Sequence, residues 1–220
     1  MPDARRILYA TADVASELRD AAAFQDVRVV ENPQHRHRPR FESMLHCTAD
    51  RAFFIDGDTL LMEPIDELYE LLDHFDVALA SAPQQFHSQA VAKQIYDKLP
   101  RVSSAIPEWN SGVIAARISD RFRTFVRRWS DLFAVCQQHG YTMDQPALRS
   151  APGTSDLRIA TIPANYNFRA NMPQTIKGKI KLLHAHGDLP KITGYINRSE
   201  NLRMNTPRQG EINGFSPAAE

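Results

Sequence analysis

Two aspartates separated by one glycine follow an apolar run in the first third of the chain. Residues 52–55 are Ala-Phe-Phe-Ile, and Asp56, Gly57 and Asp58 come directly after them. Such a run is typical of a central strand that is covered on both faces. Ligands of open α/β sheets bind beyond the carboxyl ends of strands, where paired carboxylates suit a divalent cation. Taken alone, the pattern favours this site and an ordinary Asp-Gly turn about equally.

Two histidines far along the chain could complete such a site. The last predicted strand, residues 179–183, leads into His184, His186 and Gly187. A histidine after a strand is more often structural than a ligand, but the glycine lets backbone amides approach an anion. Two carboxylates and one imidazole suit Mn²⁺ better than Mg²⁺, which prefers oxygen ligands. These residues meet only if their strands are near neighbours, and either histidine could be the ligand.

Two further segments carry polar residues that could contact a substrate. Residues 32–40 form a basic loop whose simplest interpretation is a solvated connection, although Arg40 precedes the apolar strand closely enough to reach a phosphate. Asp144 and Gln145 begin a short helix with Pro146 at an early position. From spacing alone, the better interpretation of Asp144 is a helix N-cap.

Strand and helix patterns alternate along most of the chain. This alternation predicts an α/β protein with a mostly parallel central sheet covered by helices. One long helix, residues 119–138, has an aromatic face that we interpret as core. The predicted strands are residues 5–11, 27–30, 52–55, 76–80, 113–116, 157–162 and 179–183, and the other predicted helices are residues 13–24, 40–48, 64–72 and 90–99.

Composition limits the domain organisation and the classes of partner. A chain of 220 residues with 43% hydrophobic content fits one domain, which we expect over residues 1–197. Residues 198–220 are poor in apolar side chains, so we expect a polar tail that is disordered or ordered only by a partner. Lys+Arg and Asp+Glu both number 26, which gives no general attraction to nucleic acid or anionic lipid. Without a signal peptide, a membrane-length segment or a CxxC pair, the chain is expected to be soluble and cytoplasmic.

Five short motifs in one order give the chain a family resemblance. Each motif is weak alone, but together they cover most of the chain. The motifs are Asp56-Gly57-Asp58, Asn110-Ser111-Gly112, Asp144-Gln145, Ile162-Pro163 with Tyr166-Asn167, and His184-Ala185-His186-Gly187. They resemble the pattern of metal-dependent glycosyltransferases with the GT-A fold, closest to the glycogenin and bacterial galactosyltransferase group, which is family 8-like.

The resemblance implies a function and a role for each matching residue. It implies transfer of a hexose from a nucleotide-sugar, a UDP-sugar above all, to an unknown saccharide, lipid-linked or protein acceptor, with Mn²⁺ or Mg²⁺ as cofactor. It also implies retention of the anomeric configuration. The implied metal ligands are Asp56, Asp58 and His184; the implied donor contacts are Arg40, Asp56, Gly57, Asp58, Ser111, Gly187 and Lys191; and the residues implied to surround the transferred sugar are Asn110, Asp144 and Gln145.

Two alternatives remain open at this stage. The Asp-x-Asp motif lies nearer the N-terminus than is usual for the family, so residues 5–11 could be the second strand of its first unit. The base pocket would then be incomplete, and the chain would be a pseudoenzyme or a binding partner. A haloacid-dehalogenase-type phosphatase would use Asp56 as a nucleophile. However, Leu60 occupies the position of its usual Thr or Val, and Asp188 supplies only one of the two later carboxylates.

Overall fold

Strands and helices alternate through the part of the chain that the structure describes. The structure is a computed structural model, and it describes residues 4–18, 23–30, 38–82, 94–184, 196–205 and 215–217. The strands are β1 (Ile7–Ala10), β2 (Asp26–Val29), β3 (Arg51–Ile55), β4 (Thr59–Leu61), β5 (Val77–Ser81), β6 (Trp109–Arg117), β7 (Ile159–Ile162), β8 (Gln174–Ile176), β9 (Leu182–His184), β10 (Arg203–Asn205) and β11 (Phe215–Pro217). The α-helices are α1 (Ala12–Leu18), α2 (Arg38–Leu45), α3 (Glu67–Leu71), α4 (Asp120–Gln138) and α5 (Gln145–Ser150).

A mixed four-stranded sheet forms the centre of the fold. Its strand order is β3-β6-β5-β7, in which β6 is antiparallel to both neighbours and β5 is parallel to β7. Strands β3, β5 and β7 therefore run in one direction and β6 runs against them, which confirms the predicted mixed, mostly parallel sheet. Strands β1 and β2 pair in parallel, and α1 connects them in the chain. The chain therefore has a strand–helix–strand unit before the two aspartates.

Alternating side chains of the central strands build a core on each face of the sheet. On one face, Leu79 and Ile114 pack into the cluster formed with α2, α4 and α5. On the other face, Ala78 and Val113 pack against Leu68 of α3, as expected for the two-residue period of a strand. The aromatic face of α4 is core as predicted, with Phe122, Phe125, Val126, Trp129, Leu132, Phe133 and Cys136 all buried.

The apolar strand that precedes the aspartates is not central, which corrects the prediction. Within the described residues β3 pairs only with β6, and Ile55 is 43% exposed. The buried central strand is β6. Phe53 contacts Tyr69 and Phe54 stacks near Phe122, so β3 is lined on both faces by large side chains that only partly cover it. An apolar run indicates contact on two faces, and it does not distinguish an outer strand from an inner one.

The segment after residue 197 is also more ordered than expected where the structure describes it. Strand β10 pairs antiparallel with β8 and with β11. These two strands therefore pair within the chain, which satisfies their backbone groups where apolar side chains are few. The domain boundary at residue 197 stays a prediction. Among the helices of the described ranges, none has the length and apolar character that crossing a bilayer requires.

Candidate functional site

Strand pairing brings His184 to the two aspartates. The turn after β3 is closed by Thr59, whose backbone N–H and hydroxyl both donate to the carbonyl oxygen of Asp56, at 3.2 and 2.7 Å. Strand β4 follows the turn at once and pairs antiparallel with β9, with Thr59 opposite His184. The predicted condition that the two strands be neighbours is met. His184 is the last residue of β9, so its side chain lies beside the Asp56–Asp58 turn.

Asp56, Asp58 and His184 have the geometry of a cation site. One candidate ligand atom from each lies within 4.8 Å of the others. Ligands at about 2.1–2.4 Å from one ion can be no further apart than about 4.8 Å, so the spacing fits a divalent cation. His184 Nε2 lies 3.2 Å from Asp58 Oδ1. His184 is buried, whereas both carboxylates are partly exposed, so a ligand could approach from the carboxylate side.

Arg40 joins this cluster to Asp144, whose carboxylate is buried. Its Nη2 donates to both oxygens of Asp56 at 2.5 Å, and its Nη1 donates to Asp144 Oδ2 at 2.5 Å and to Ser111 Oγ at 2.7 Å. Ser111 in turn donates to Asp144 Oδ1 at 3.1 Å. Each carboxylate oxygen has two lone pairs, so Asp56 can accept from Arg40 and still bind a cation. The predicted Arg40, Ser111 and Asp144 therefore lie together.

Packing in the core holds Arg40 in place. The neighbouring Phe41 packs edge-on against Trp129, with ring centroids 4.9 Å apart, and so fixes α2 on α4. Trp129 also donates from its indole nitrogen to the backbone oxygen of Asp144 at 3.3 Å. Burial lowers the pKa of Arg40, but the charges of Asp144 and Asp56 and their hydrogen bonds outweigh this effect and raise it. The guanidinium therefore stays charged between the two carboxylates.

Asp144 stands at the N-cap position of α5, but its side chain does not cap the helix. The carboxylate accepts hydrogen bonds from Arg40 and Ser111 instead, so the N-cap interpretation is wrong for the side chain, and a site role of Asp144 stays a prediction. Gln145 follows it and is 5% exposed. Within the described part of the chain, no hydrogen bond is assigned to the Gln145 side-chain amide.

The histidine lies in a tightly packed shell. A Cβ added to Gly112 would lie 2.3 Å from His184 Cε1 and 2.6 Å from Nδ1, so only glycine lets the ring occupy this place. Nδ1 lies 2.8 Å from Asn167 Oδ1, and the Asn167 amide nitrogen donates to Asn110 Oδ1 at 2.9 Å. Asn110 Oδ1 also accepts the backbone N–H of Gly112 at 3.0 Å. The predicted sugar contact Asn110 thus has its carbonyl oxygen engaged inside the protein.

Arg169 is a cation beside the aspartates that sequence reasoning did not select. It is half-buried, and its Nε has no hydrogen-bond partner among the residues that the structure describes. Burial lowers the pKa of Arg169, against the opposite effect of the nearby charges of Asp58 and Asp56. Its neighbours in sequence, Phe168 and Ala170, are buried in the cluster under β9. Arg169 therefore places a positive charge near the two carboxylates.

Some functional residues could be recognised from sequence and others could not. Gly112 precedes the predicted strand of residues 113–116, but β6 begins at Trp109 and includes it, and an interior strand glycine is a usual sign of close approach. Asn167 belonged to a motif without a stated role, and nothing in the pattern around Arg169 marked it. Gly57 lies in open space, with nothing within 4 Å of an added Cβ. The predicted contacts Gly187 and Lys191, and the alternative ligand His186, lie outside the described residues.

The fold matches solved glycosyltransferase structures. The galactosyltransferase LgtC, in complex with donor and acceptor sugar analogues, matches with a TM-score of 0.53 and 12% identity over 88% of this chain and 97% of that chain. An active-site mutant of LgtC matches with a TM-score of 0.52 and 14% identity, over 83% and 88% of the two chains. GlyE from Streptococcus pneumoniae TIGR4 matches with a TM-score of 0.54 and 14% identity over 89% of this chain. The match covers 53% of GlyE, so this chain spans about half its length.

These comparisons define the class of fold. No protein-family model and no curated protein sequence matches the chain. Identities this low establish the fold alone. The chain therefore has the mixed α/β GT-A fold of nucleotide-sugar glycosyltransferases, which confirms the fold that the motif order predicts.

Gly112→Ala is expected to displace the His184 ring. The added methyl group would overlap the imidazole by more than 1 Å relative to ordinary van der Waals contact of about 3.5 Å, so the ring must move. We expect Mn²⁺ affinity to fall about 10–100-fold, as when the support of a metal ligand is removed. Titration of free Mn²⁺ by electron paramagnetic resonance measures this change.

Gly57→Ala is the matched control, because the same methyl group there meets open space. The Gly57 backbone is not in the left-handed region either, since Gly140 and Gly178 are the only described glycines with a positive φ. The control should keep the melting temperature and the Mn²⁺ affinity of the wild type. Equal losses in both variants would contradict the packing argument.

Proposed function

We propose that the chain is a metal-dependent glycosyltransferase that transfers a hexose from a UDP-sugar to an acceptor, with Mn²⁺ as the cofactor. The observation that carries the proposal is the meeting of Asp56, Asp58 and His184 next to Asp144, in a chain with the GT-A fold. The family resemblance implies retention of the anomeric configuration. The sequence pattern implies a cytoplasmic location. The acceptor is a saccharide, a lipid-linked sugar or a protein.

The proposed chemistry depends on charge at the leaving group. Breaking a sugar–diphosphate bond builds negative charge on the diphosphate, and a cation held by the three ligands would stabilise that charge. Arg40 holds Asp56 and Asp144 in fixed positions, so the carboxylates need not reorganise during the reaction. Arg169 supplies a second positive charge near the same aspartates, which favours a phosphate group close by.

The sugar would lie on the Asp144 side of the cluster. Gln145 has an amide without an assigned partner in the described part of the chain, and Asn110 keeps its amide NH₂ for a sugar oxygen after its carbonyl oxygen is engaged. Ser111 and Arg40 bind Asp144 from the protein side. Asp144, Gln145 and Asn110 are thus proposed to surround the transferred hexose, and Gly57, Gly187 and Lys191 to contact the diphosphate.

Calorimetric titration tests the proposal directly. UDP-glucose and UDP-galactose, added to the wild-type protein with and without Mn²⁺, are expected to release heat at micromolar donor only when Mn²⁺ is present. Absence of heat at high micromolar donor with Mn²⁺ would instead favour a pseudoenzyme that keeps the fold without the nucleotide site. Hydrolysis of p-nitrophenyl phosphate, lost in Asp56→Asn, would favour the phosphatase alternative.

A further inference from the structure

The two ring nitrogens of His184 have different neighbours. Nδ1 lies 2.8 Å from Oδ1 of Asn167, and Nε2 lies 3.2 Å from Oδ1 of Asp58. His184 and Asn167 are both buried. A neutral imidazole carries a single proton, so its position decides whether Nε2 offers a lone pair or an N–H to the aspartates.

The orientation of the Asn167 amide follows from the backbone of β6. The N–H of Gly112 can only donate, so the Asn110 atom 3.0 Å from it is the carbonyl oxygen. The same oxygen lies 2.9 Å from the Asn167 side chain. Two carbonyl oxygens would repel each other at this distance, so Asn167 turns its NH₂ to Asn110 and its carbonyl oxygen to His184.

We propose that Asn167 is a positioning residue that fixes the tautomer of His184 with the proton on Nδ1. The Asn167 carbonyl oxygen accepts the hydrogen bond from Nδ1–H, and the lone pair of Nε2 then points at Asp56 and Asp58. The chain of hydrogen bonds starts from Gly112, whose backbone cannot reverse its direction. This inference rests on the proposed metal site, because the lone pair on Nε2 is the electron pair that would coordinate the cation there.

The alternative tautomer would suit an empty cluster better. With the proton on Nε2, His184 could donate to Asp58 at 3.2 Å without any cation. Asn167 opposes that arrangement, since its carbonyl oxygen would then face the lone pair of Nδ1. The buried amides of Asn110 and Asn167 therefore leave the lone pair of His184 Nε2 for a cation. In return, the direct hydrogen bond from His184 to Asp58 is not formed. Metal-bound histidines commonly depend on such a partner at the other nitrogen.

Nuclear magnetic resonance of the metal-free wild type tests the tautomer without any variant in the network. Long-range ¹H–¹⁵N spectra are recorded well above the ordinary pKa of histidine, and His184 is assigned by the signals missing in His184→Gln. The expected result is a pyrrole-type Nδ1 and a pyridine-type Nε2. The reverse pattern would overturn the proposal. Because this measurement needs neither metal nor donor, its failure is separate from failure of the proposed function.

Two substitutions separate positioning from a purely structural role. Asn167→Asp keeps an acceptor for Nδ1–H, and we expect its Mn²⁺ affinity to be no lower than that of the wild type. Asn167→Leu removes the acceptor and is expected to lose about 10–100-fold in affinity. A structural role predicts the opposite order, because a buried site tolerates leucine better than an added charge. Wild-type affinity in a folded Asn167→Leu protein, or equal losses in both variants, would overturn the inference.

Asn165→Leu is the matched control in the same loop. The Asn165 side chain donates to the carbonyl oxygens of Lys177 and Lys179, both at 2.8 Å, and has no assigned contact with His184. This variant should keep the wild-type tautomer and Mn²⁺ affinity even where its melting temperature falls. If Asn167→Asp does not fold, the tautomer measured in the wild type still decides the proposal.

Discussion

Asp58→Asn is expected to lower Mn²⁺-dependent turnover of a UDP-sugar by about three orders of magnitude. The amide has the size of the carboxylate but lacks its charge, so a proposed ligand of the cation is lost while the turn keeps its shape. Metal ions supply several kcal/mol of charge stabilisation in the transition state. At about 1.4 kcal/mol for each factor of ten, that amounts to roughly a thousandfold. Release of UDP over a range of Mn²⁺ concentrations measures the effect.

Asp50→Asn makes the same exchange at the other end of the apolar strand. Asp50 is exposed and lies immediately before β3, so this variant should keep the Mn²⁺ response of the wild type. Both variants are expected to melt at the wild-type temperature. Full Mn²⁺-stimulated turnover in Asp58→Asn would show that the metal ligands are wrongly assigned.

Arg40→Met is expected to reduce the free energy of unfolding by about 3–5 kcal/mol, the range measured when one partner of a buried ion pair is removed. Arg40 is 14% exposed and donates to Asp56, Asp144 and Ser111. Without it, the buried Asp144 carboxylate keeps the hydrogen bond from Ser111 but loses the positive charge of Arg40, which lies 2.5 Å away. Urea denaturation in the absence of metal measures the change.

Arg28→Met gives the scale of a partly exposed ion pair together with one hydrogen bond, which Arg28 donates to the Tyr9 hydroxyl at 2.7 Å. Arg28 lies 3.0 Å from Asp26, and both side chains are about one-third exposed, so we expect a change within about 1 kcal/mol. Adding Asp144→Asn to Arg40→Met removes the uncompensated charge and should restore part of the lost stability. If Arg40→Met unfolds at the same urea concentration as Arg28→Met, the buried pair does not carry the stability assigned to it.

Local patterns selected the three residues of the candidate cation site, but they did not predict the contacts around those residues. Asp56, Asp58 and His184 could be selected because each follows an apolar segment, and the order of strands and helices was enough to predict the fold class. The outer position of β3 could not be predicted, because an apolar run records contact on two faces and not the number of paired neighbours. The strand β10 lacked any apolar signal, since its order comes from backbone pairing with β8.

The contacts around the ligands depend on long-range pairing that no local pattern contains. Arg40 lies in a basic loop in the sequence, and only the packing of Phe41 on Trp129 directs it to Asp56 and Asp144. Asn167 reaches His184 because Phe168 bridges Leu183 of β9. For the same reason, the proposed site roles of Gln145, Asn110 and Ser111 stay predictions that need a substrate to test them.

The pairing of β4 with β9 has a consequence for how the protein is made. It joins a segment that leaves the ribosome early to one that leaves much later, with strands β5, β6 and β7 of the central sheet encoded between them. Contacts of such high sequence separation require a long loop to close, which is entropically costly. A nascent chain that carries both aspartates still lacks the histidine until β9 has emerged. Tight Mn²⁺ retention would therefore mark only those molecules whose synthesis and folding have reached β9.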